Sequence, residues 1–176
     1  MSDGLGIVAL RAPSEATEVL ALWLASWRAT YADIDFEARS PWFLERLAEL
    51  EAEGAQTLCL HDAARKRLAG FVIIHPETGW LDQLCVHPDF FGVGVAAALL
   101  AAARRVAPAG VRLDVNADNL RARRFYEREG FSCRGPGAPS RSGRATLVLE
   151  WLPGPAETAG RSEPASTAGG RRLIIL

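Results

Sequence analysis

The sequence predicts a mixed α/β fold, a sheet with helices on both of its faces. Three observations predict it. Short runs rich in β-branched and apolar residues are interleaved with longer segments whose apolar residues recur at helical spacing. The segments follow the order strand, two helices, three strands, helix, strand, helix, two strands, which suits neither an all-helical nor an all-β chain. At 176 residues the chain is long enough for one domain with a substantial core and short for two.

Gly6 to Leu10 is a weakly alternating, β-rich run, and Pro13, Ser14 and Glu15 then mark a helix start. Leu20, Trp23, Leu24, Trp27 and Tyr31 recur at helical spacing, which gives this helix an apolar face. The face reads first as core, and its aromatic end, Trp27 to Tyr31, could also line a pocket. A second helix runs from Pro41 through Glu53, with Ser40 as N-cap, Pro41 in the first turn and Gly54 as the stop. Trp42 and Phe43 stand at its entrance. QTLCLHD and LAGFVIIHP, joined by a basic turn at Arg65 to Arg67, pair as a hairpin, and the strand WLDQLCVHP follows the turn from Pro76 to Gly79. VGVAAALLAAARRVA is an alanine-rich helix with Arg104 and Arg105 near its C-terminal end, where positive charge suits the dipole. A strand (VRLDV), a polar turn (NADN) and a helix (LRARRFYERE) closed by Gly130 come next. FSCRG and ATLVLEW form a final hairpin around the loop from Pro136 to Gly143.

The expected domain is residues 1–152. From 153 to 176 the chain is rich in Pro, Gly, Ala, Ser and Thr, and it reads as a low-complexity tail too poor in apolar bulk to offset its ordering entropy.

The net charge of -1 gives no reason to expect a nucleic-acid partner. No apolar stretch approaches the roughly 20 residues that span a bilayer, and no signal-peptide pattern stands at the N-terminus, so neither membrane insertion nor secretion is expected. Cys59, Cys85 and Cys133 are odd in number and widely spaced, which suggests no disulfide framework and fits a reducing cytoplasm. His61, His75 and His87 lack metal-ligand spacing, and no metal is expected.

The stretch His87 to Leu100, HPDFFGVGVAAALL, carries the chemistry. Gly92 and Gly94 permit a tight turn whose backbone N–H groups can approach a phosphate, and the helix start adds unpaired donors and a positive dipole end. Taken alone this is an anion site or an ordinary tight turn. A second constellation lies downstream: Asn119, Ala122, Phe125, Tyr126, Glu127, Gly130 and Phe131.

Together these residues resemble the GCN5-related N-acetyltransferase (GNAT) family. Its acetyl-CoA motif (Gln or Arg, two residues, Gly, one residue, Gly or Ala) falls on Phe91, Gly92, Val93, Gly94, Val95 and Ala96. Its downstream pattern matches NLRARRFYEREGF, and its strand pattern matches Leu84, Val86 and Pro88. The resemblance runs from Ile7 to Trp151, with its specific part between Trp80 and Phe131. One departure stands out: Phe91 occupies the Gln or Arg position, so that side-chain contact to the pyrophosphate is lost and the backbone from Gly92 to Ala96 is left to bind.

The resemblance implies a largely antiparallel sheet of about six to seven strands with a splayed central parallel pair. It implies an N-acetyltransferase that takes acetyl-CoA as co-substrate and passes the acetyl group directly to a primary amine, of a small molecule or a protein N-terminus. Leu84, Cys85 and Val86 would hold the pantetheine arm by their backbone, with Asn119 on its other side, and Tyr126 would protonate the departing thiolate. As base it offers Asp114, ranked ahead of Asp82; either carboxylate also reads as a solvated strand residue. Arg121, Arg123 and Arg124 could meet the 3′-phosphate or simply form a solvated helix face. Trp27, Tyr31 and Trp42 are the acceptor-side candidates, with core packing the competing account. A rival is ping-pong transfer through Cys85. Another is an acyl-CoA-binding module with little or no turnover. A homodimer is compatible with the family.

Overall fold

The structure, a computed structural model, describes residues 5–62, 64 and 66–154. Expectations for Arg65 and for residues 155–176 lie outside the described residues. Strand β1 (Leu5–Leu10) is followed by helices α1 (Ala16–Thr30) and α2 (Ser40–Ala52), then by strands β2 (Gln56–Asp62), β3 (Arg67–Ile74) and β4 (Leu81–Val86). Helix α3 (Val95–Val106), strand β5 (Val111–Asn116), helix α4 (Leu120–Arg128) and strands β6 (Ser132–Pro136) and β7 (Thr146–Trp151) complete the order.

Both early helices begin with a 3-10 turn that the sequence reading did not anticipate. Pro13–Glu15 leads into α1 and Glu37–Arg39 leads into α2. Ser40 therefore falls inside the helix rather than capping it. The capping is done earlier, where Asp35 Oδ1 accepts the Ala38 N–H at 3.1 Å.

The strands form two antiparallel groups, β1-β2-β3-β4 and β5-β7-β6. They meet where β4 and β5 run side by side in parallel, through a single bridge between Trp80 and Arg112. The Arg112 N–H donates to the Gly79 carbonyl at 2.8 Å there. Gly79 has φ +66°, and a Cβ on it would lie 2.2 Å from the Gly110 carbonyl oxygen, so only glycine allows this close approach. Beyond the bridge no ladder pairing joins β4 to β5 among the described residues.

A bulge helps to open the pair. Leu81 pairs with Ile74 but Gln83 pairs with Ile73, so Asp82 is an extra residue in β4. One face of the sheet is covered by α3 and α4 around Leu84, Leu99, Leu113, Val115 and Tyr126. The other is covered by α1 and α2 around Trp23, Trp27, Phe43, Phe71 and Cys85. On that second face Trp23 stacks on Phe43 with ring centroids 4.5 Å apart, and Trp27 stacks on Phe36 at 4.8 Å. Aromatic pairs of this kind add about 0.5–1.5 kcal/mol each beyond their area burial.

Candidate active site

Parallel β4 and β5 end on the same side, and each leads into a helix: β4 through the glycine turn to α3, β5 through a polar turn to α4. Ligand sites of open α/β sheets form at such ends. A cleft of about 550 Å³ lies here, lined by Val86, Phe91, Gly92, Gly94, Ala96 and Arg121 among others. Gly94, at φ +92°, is the N-cap of α3, and no side chain caps that end. A Cβ at either Gly92 or Gly94 would meet no protein atom within 4 Å, so their open sides face free space. The first N–H groups of a 12-residue helix thus point into an open cleft, an arrangement that favours an anion.

Strand alternation decides which backbone groups face the gap. The His87 N–H donates to the Ala69 carbonyl at 2.9 Å, so strand alternation turns the amide and carbonyl of Cys85, two residues back, toward β3 as well. Leu84 and Val86 turn theirs toward the unpaired edge. Of the three residues grouped on the arm-binding strand, Cys85 therefore spends its backbone on β3. Its buried thiol lies under α1 beside Ser26, and burial pushes its pKa well up. A thiol held neutral in this way is a poor nucleophile.

Tyr126, in α4, is 0% exposed, and its hydroxyl is buried with no hydrogen-bond partner among the described residues. Burial, with a smaller contribution from Cys85, raises its pKa. A neutral phenol here can give a proton to a developing anion and remains protonated until it does. Asn119 caps α4, its Oδ1 accepting the Ala122 N–H at 3.1 Å.

The two carboxylate candidates differ. Asp82, 2% exposed, sits on the bulge, where Arg46 Nη2 of α2 meets its Oδ2 at 3.1 Å. Asp114, 7% exposed, lies on the β5 face opposite Leu113 and Val115, beneath the β6–β7 loop. A Cβ at Gly137 would stand 2.9 Å from Asp114 Oδ1, so the loop's glycine makes room for this carboxylate. The Arg46 partnership had no local signal, because Arg46 and Asp82 are far apart in the chain.

The acceptor-side aromatics separate as well. Trp27 is 1% exposed and is committed to the core. Tyr31 Oη donates to Asp118 Oδ1 at 2.6 Å and accepts from Asn116 Nδ2 at 3.2 Å. Burial and the Asp118 hydrogen bond push the Tyr31 pKa up to about 12. Trp42 is half-buried, with the Arg141 guanidinium 4.7 Å from its ring centroid. Arg144 stacks over Tyr31 and reaches Asp33 at 2.9 Å, so the β6–β7 and α1–α2 loops meet across this side. Sequence reasoning missed Arg141, Arg144 and Asp118; their role depends on loops that meet only in the fold. Among the described residues no group of three or more His, Cys, Asp or Glu could hold a metal ion.

A splayed parallel pair with a glycine turn at one strand's end defines a class of acyl-transfer proteins, and the comparisons agree. The Acetyltransferase (GNAT) family profile matches residues 16–131, more than half of the chain, and the chain belongs to that family. A GCN5-related N-acetyltransferase from Rhodopseudomonas palustris superposes with a TM-score of 0.63 at 23% identity, covering 84% of this chain and 97% of that one. The PaiA N-acetyltransferase of Thermoplasma acidophilum, solved in complex with coenzyme A, gives 0.64 at 16% identity, over 84% and 98% of the two chains. The ribosomal-protein-S18-alanine N-acetyltransferase of Escherichia coli gives 0.60 at 18%, over 84% and 93%. At these identities the likeness is one of fold. No curated protein matches the chain.

Proposed function

We propose that this protein is an acetyl-CoA-dependent N-acetyltransferase that acetylates a primary amine, of a small molecule or a protein N-terminus, by direct attack in a ternary complex. Its catalytic unit is taken as residues 1–152. The observation that carries the reading is the buried, unpartnered Tyr126 hydroxyl in a fold that also opens an anion-favouring cleft beside an unpaired strand edge. The coenzyme A bound to the PaiA enzyme supports the choice of donor class.

The donor supplies an activated acetyl group as a thioester. Helix α3 and its glycine turn hold the phosphates with backbone N–H groups, and Leu84 and Val86 hold the arm along the open edge of β4. Asn119, at the start of α4, borders the arm on its other side. When the amine nitrogen attacks, a C–N bond forms, the C–S bond breaks and its electron pair leaves on sulfur. The Tyr126 hydroxyl gives that thiolate its proton. A backbone N–H on the free edge of β4 stabilises the oxyanion.

Asp114 is the preferred base, because Arg46 already occupies Oδ2 of Asp82. Tyr31 and Trp42 border the acceptor side, with Trp27 packed behind them.

The test is thiol release from acetyl-CoA across a panel of primary amines. Amine-dependent release is the expected result. Binding of acetyl-CoA without release under any amine would favour a CoA-binding module, and no thermal shift with acetyl-CoA would sink both readings.

A further inference from the structure

The cleft lacks the polar side chain that the resemblance places at position 91, yet it does not lack a side-chain cation. Phe91 turns its ring face toward α4, and the Arg121 guanidinium lies 4.0 Å from the ring centroid. Both residues line the cleft with Gly92, Gly94 and Ala96. Arg121 Nη2 also reaches Thr30 Oγ1 at the end of α1, at 3.3 Å, so a ring and a hydroxyl fix the guanidinium from two sides.

No carboxylate pairs with Arg121 among the described residues, and partial burial against the cleft lowers its pKa. Glu129, the one acid lining the cleft among the described residues, lies 3.7 Å from Arg104. Arg123 turns away, its Nη1 donating to the Ala117 carbonyl at 2.9 Å. A guanidinium held in place and short of a counter-ion, in the same cleft as free helix N–H groups, is arranged for an anion that arrives with the ligand.

We propose that Arg121 binds the pyrophosphate of the acyl donor and that Phe91 is its positioning residue, the stacked pair replacing the polar side chain absent from the glycine turn. This rests on the acetyl-CoA reading above. Arg121 lines the same cleft as the first residues of α3, so charge and backbone donors act on one group. The aromatic ring is thereby a specificity device: it lends the turn a cation from another element and ties donor choice to the presence of a diphosphate.

Calorimetric titration of CoA, 3′-dephospho-CoA and pantetheine into wild type, Arg121→Gln, Phe91→Leu, Phe91→Trp and the Arg121→Gln/Phe91→Leu double variant tests the pair. Arg121→Gln is expected to weaken CoA and 3′-dephospho-CoA equally, by about tenfold to a hundredfold, the range of a hydrogen bond to a charged group. It should leave pantetheine unchanged. Phe91→Leu should weaken the two phosphate-bearing ligands less, Phe91→Trp should restore them, and the double variant should be no weaker than Arg121→Gln. A loss confined to CoA would assign Arg121 to the 3′-phosphate and overturn the proposal. So would an equal loss on all three ligands, an additive double variant, or no loss. Wild type that binds no CoA would overturn the donor reading and this inference with it, whereas wild-type binding with Arg121→Gln unchanged overturns this inference alone.

Discussion

Tyr126 is costly where it stands. A buried hydroxyl without a partner, as Tyr126 Oη is among the described residues, loses about 1–3 kcal/mol relative to one that is satisfied. Tyr126→Phe therefore separates two effects: the variant should melt no lower than wild type, while its rate of thiol release falls by about a hundredfold or more, the usual contribution of a positioned general acid. Calorimetry and a CoA-release assay on one preparation check both, and a variant with an unchanged rate would remove Tyr126 from the chemistry. The raised pKa fixes the alkaline side of the profile: the phenol stays protonated beyond the ordinary tyrosine value of about 10, so activity should not fall with tyrosine ionisation below that pH. Cys85 supplies the contrast. Its thiol is neutral and packed under α1, so Cys85→Ala should retain amine-dependent release, and mass spectrometry should find no acetyl-enzyme in wild type.

At the scale of elements, the aromatic residues of α1 and α2 were ambiguous between pocket and core because periodicity reports which face is apolar, not what covers it. Packing resolves them differently. Trp27→Ala should cost about 3–5 kcal/mol in denaturant unfolding, because the ring is fully enclosed between Trp23 and Phe36. Trp42→Ala, at a half-buried ring facing Arg141, should cost clearly less and act instead on the acceptor KM. The root of the splay is a second element-scale test. Gly79→Ala drives a Cβ into the Gly110 carbonyl at positive φ, and a loss of about 1–3 kcal/mol in unfolding free energy is expected. The 3-10 turns before α1 and α2 escaped the sequence because Pro13 and Ser40 signal a helix start without saying how tightly the first turn is wound.

For the whole molecule, acid is the destabilising direction. Burial pushes the Glu51 carboxyl up, but hydrogen bonds from Arg11 and Thr57 outweigh it and hold it below the usual range. A hydrogen bond from Tyr31 lowers Asp118, and against its own burial Glu150 is lowered by Arg112 and Arg134. A carboxylate whose folded pKa is depressed stabilises the fold above its unfolded value, about 4, and that contribution is lost as pH falls through the folded value. Unfolding free energy should therefore decline below about pH 4–5, and Glu51→Gln should flatten that decline; a slope unchanged in the variant would show that the pair of Arg11, just after β1, and Glu51 of α2 contributes nothing.

The seven strands and four α-helices among the described residues were legible as local periodicity and turn chemistry, and the anion-favouring turn was legible because Gly92 and Gly94 must precede a helix in sequence to precede it in space. Asn119 and Tyr126, read with that turn, carried the resemblance to the family, and the family match over residues 16–131 shows the membership. What only the tertiary structure decided is everything that pairs residues distant in the chain. Arg46 holds Asp82 and leaves Asp114 under the β6–β7 loop, β3 takes the backbone of Cys85 and leaves Leu84 and Val86 to the gap, and Arg121 comes to rest on Phe91. The same segment that first marked an anion site, His87 to Leu100, lacks one side chain by sequence and regains its charge from α4 in space. The physical reason is general: local order sets which donors exist, whereas packing sets which of them remain unspent.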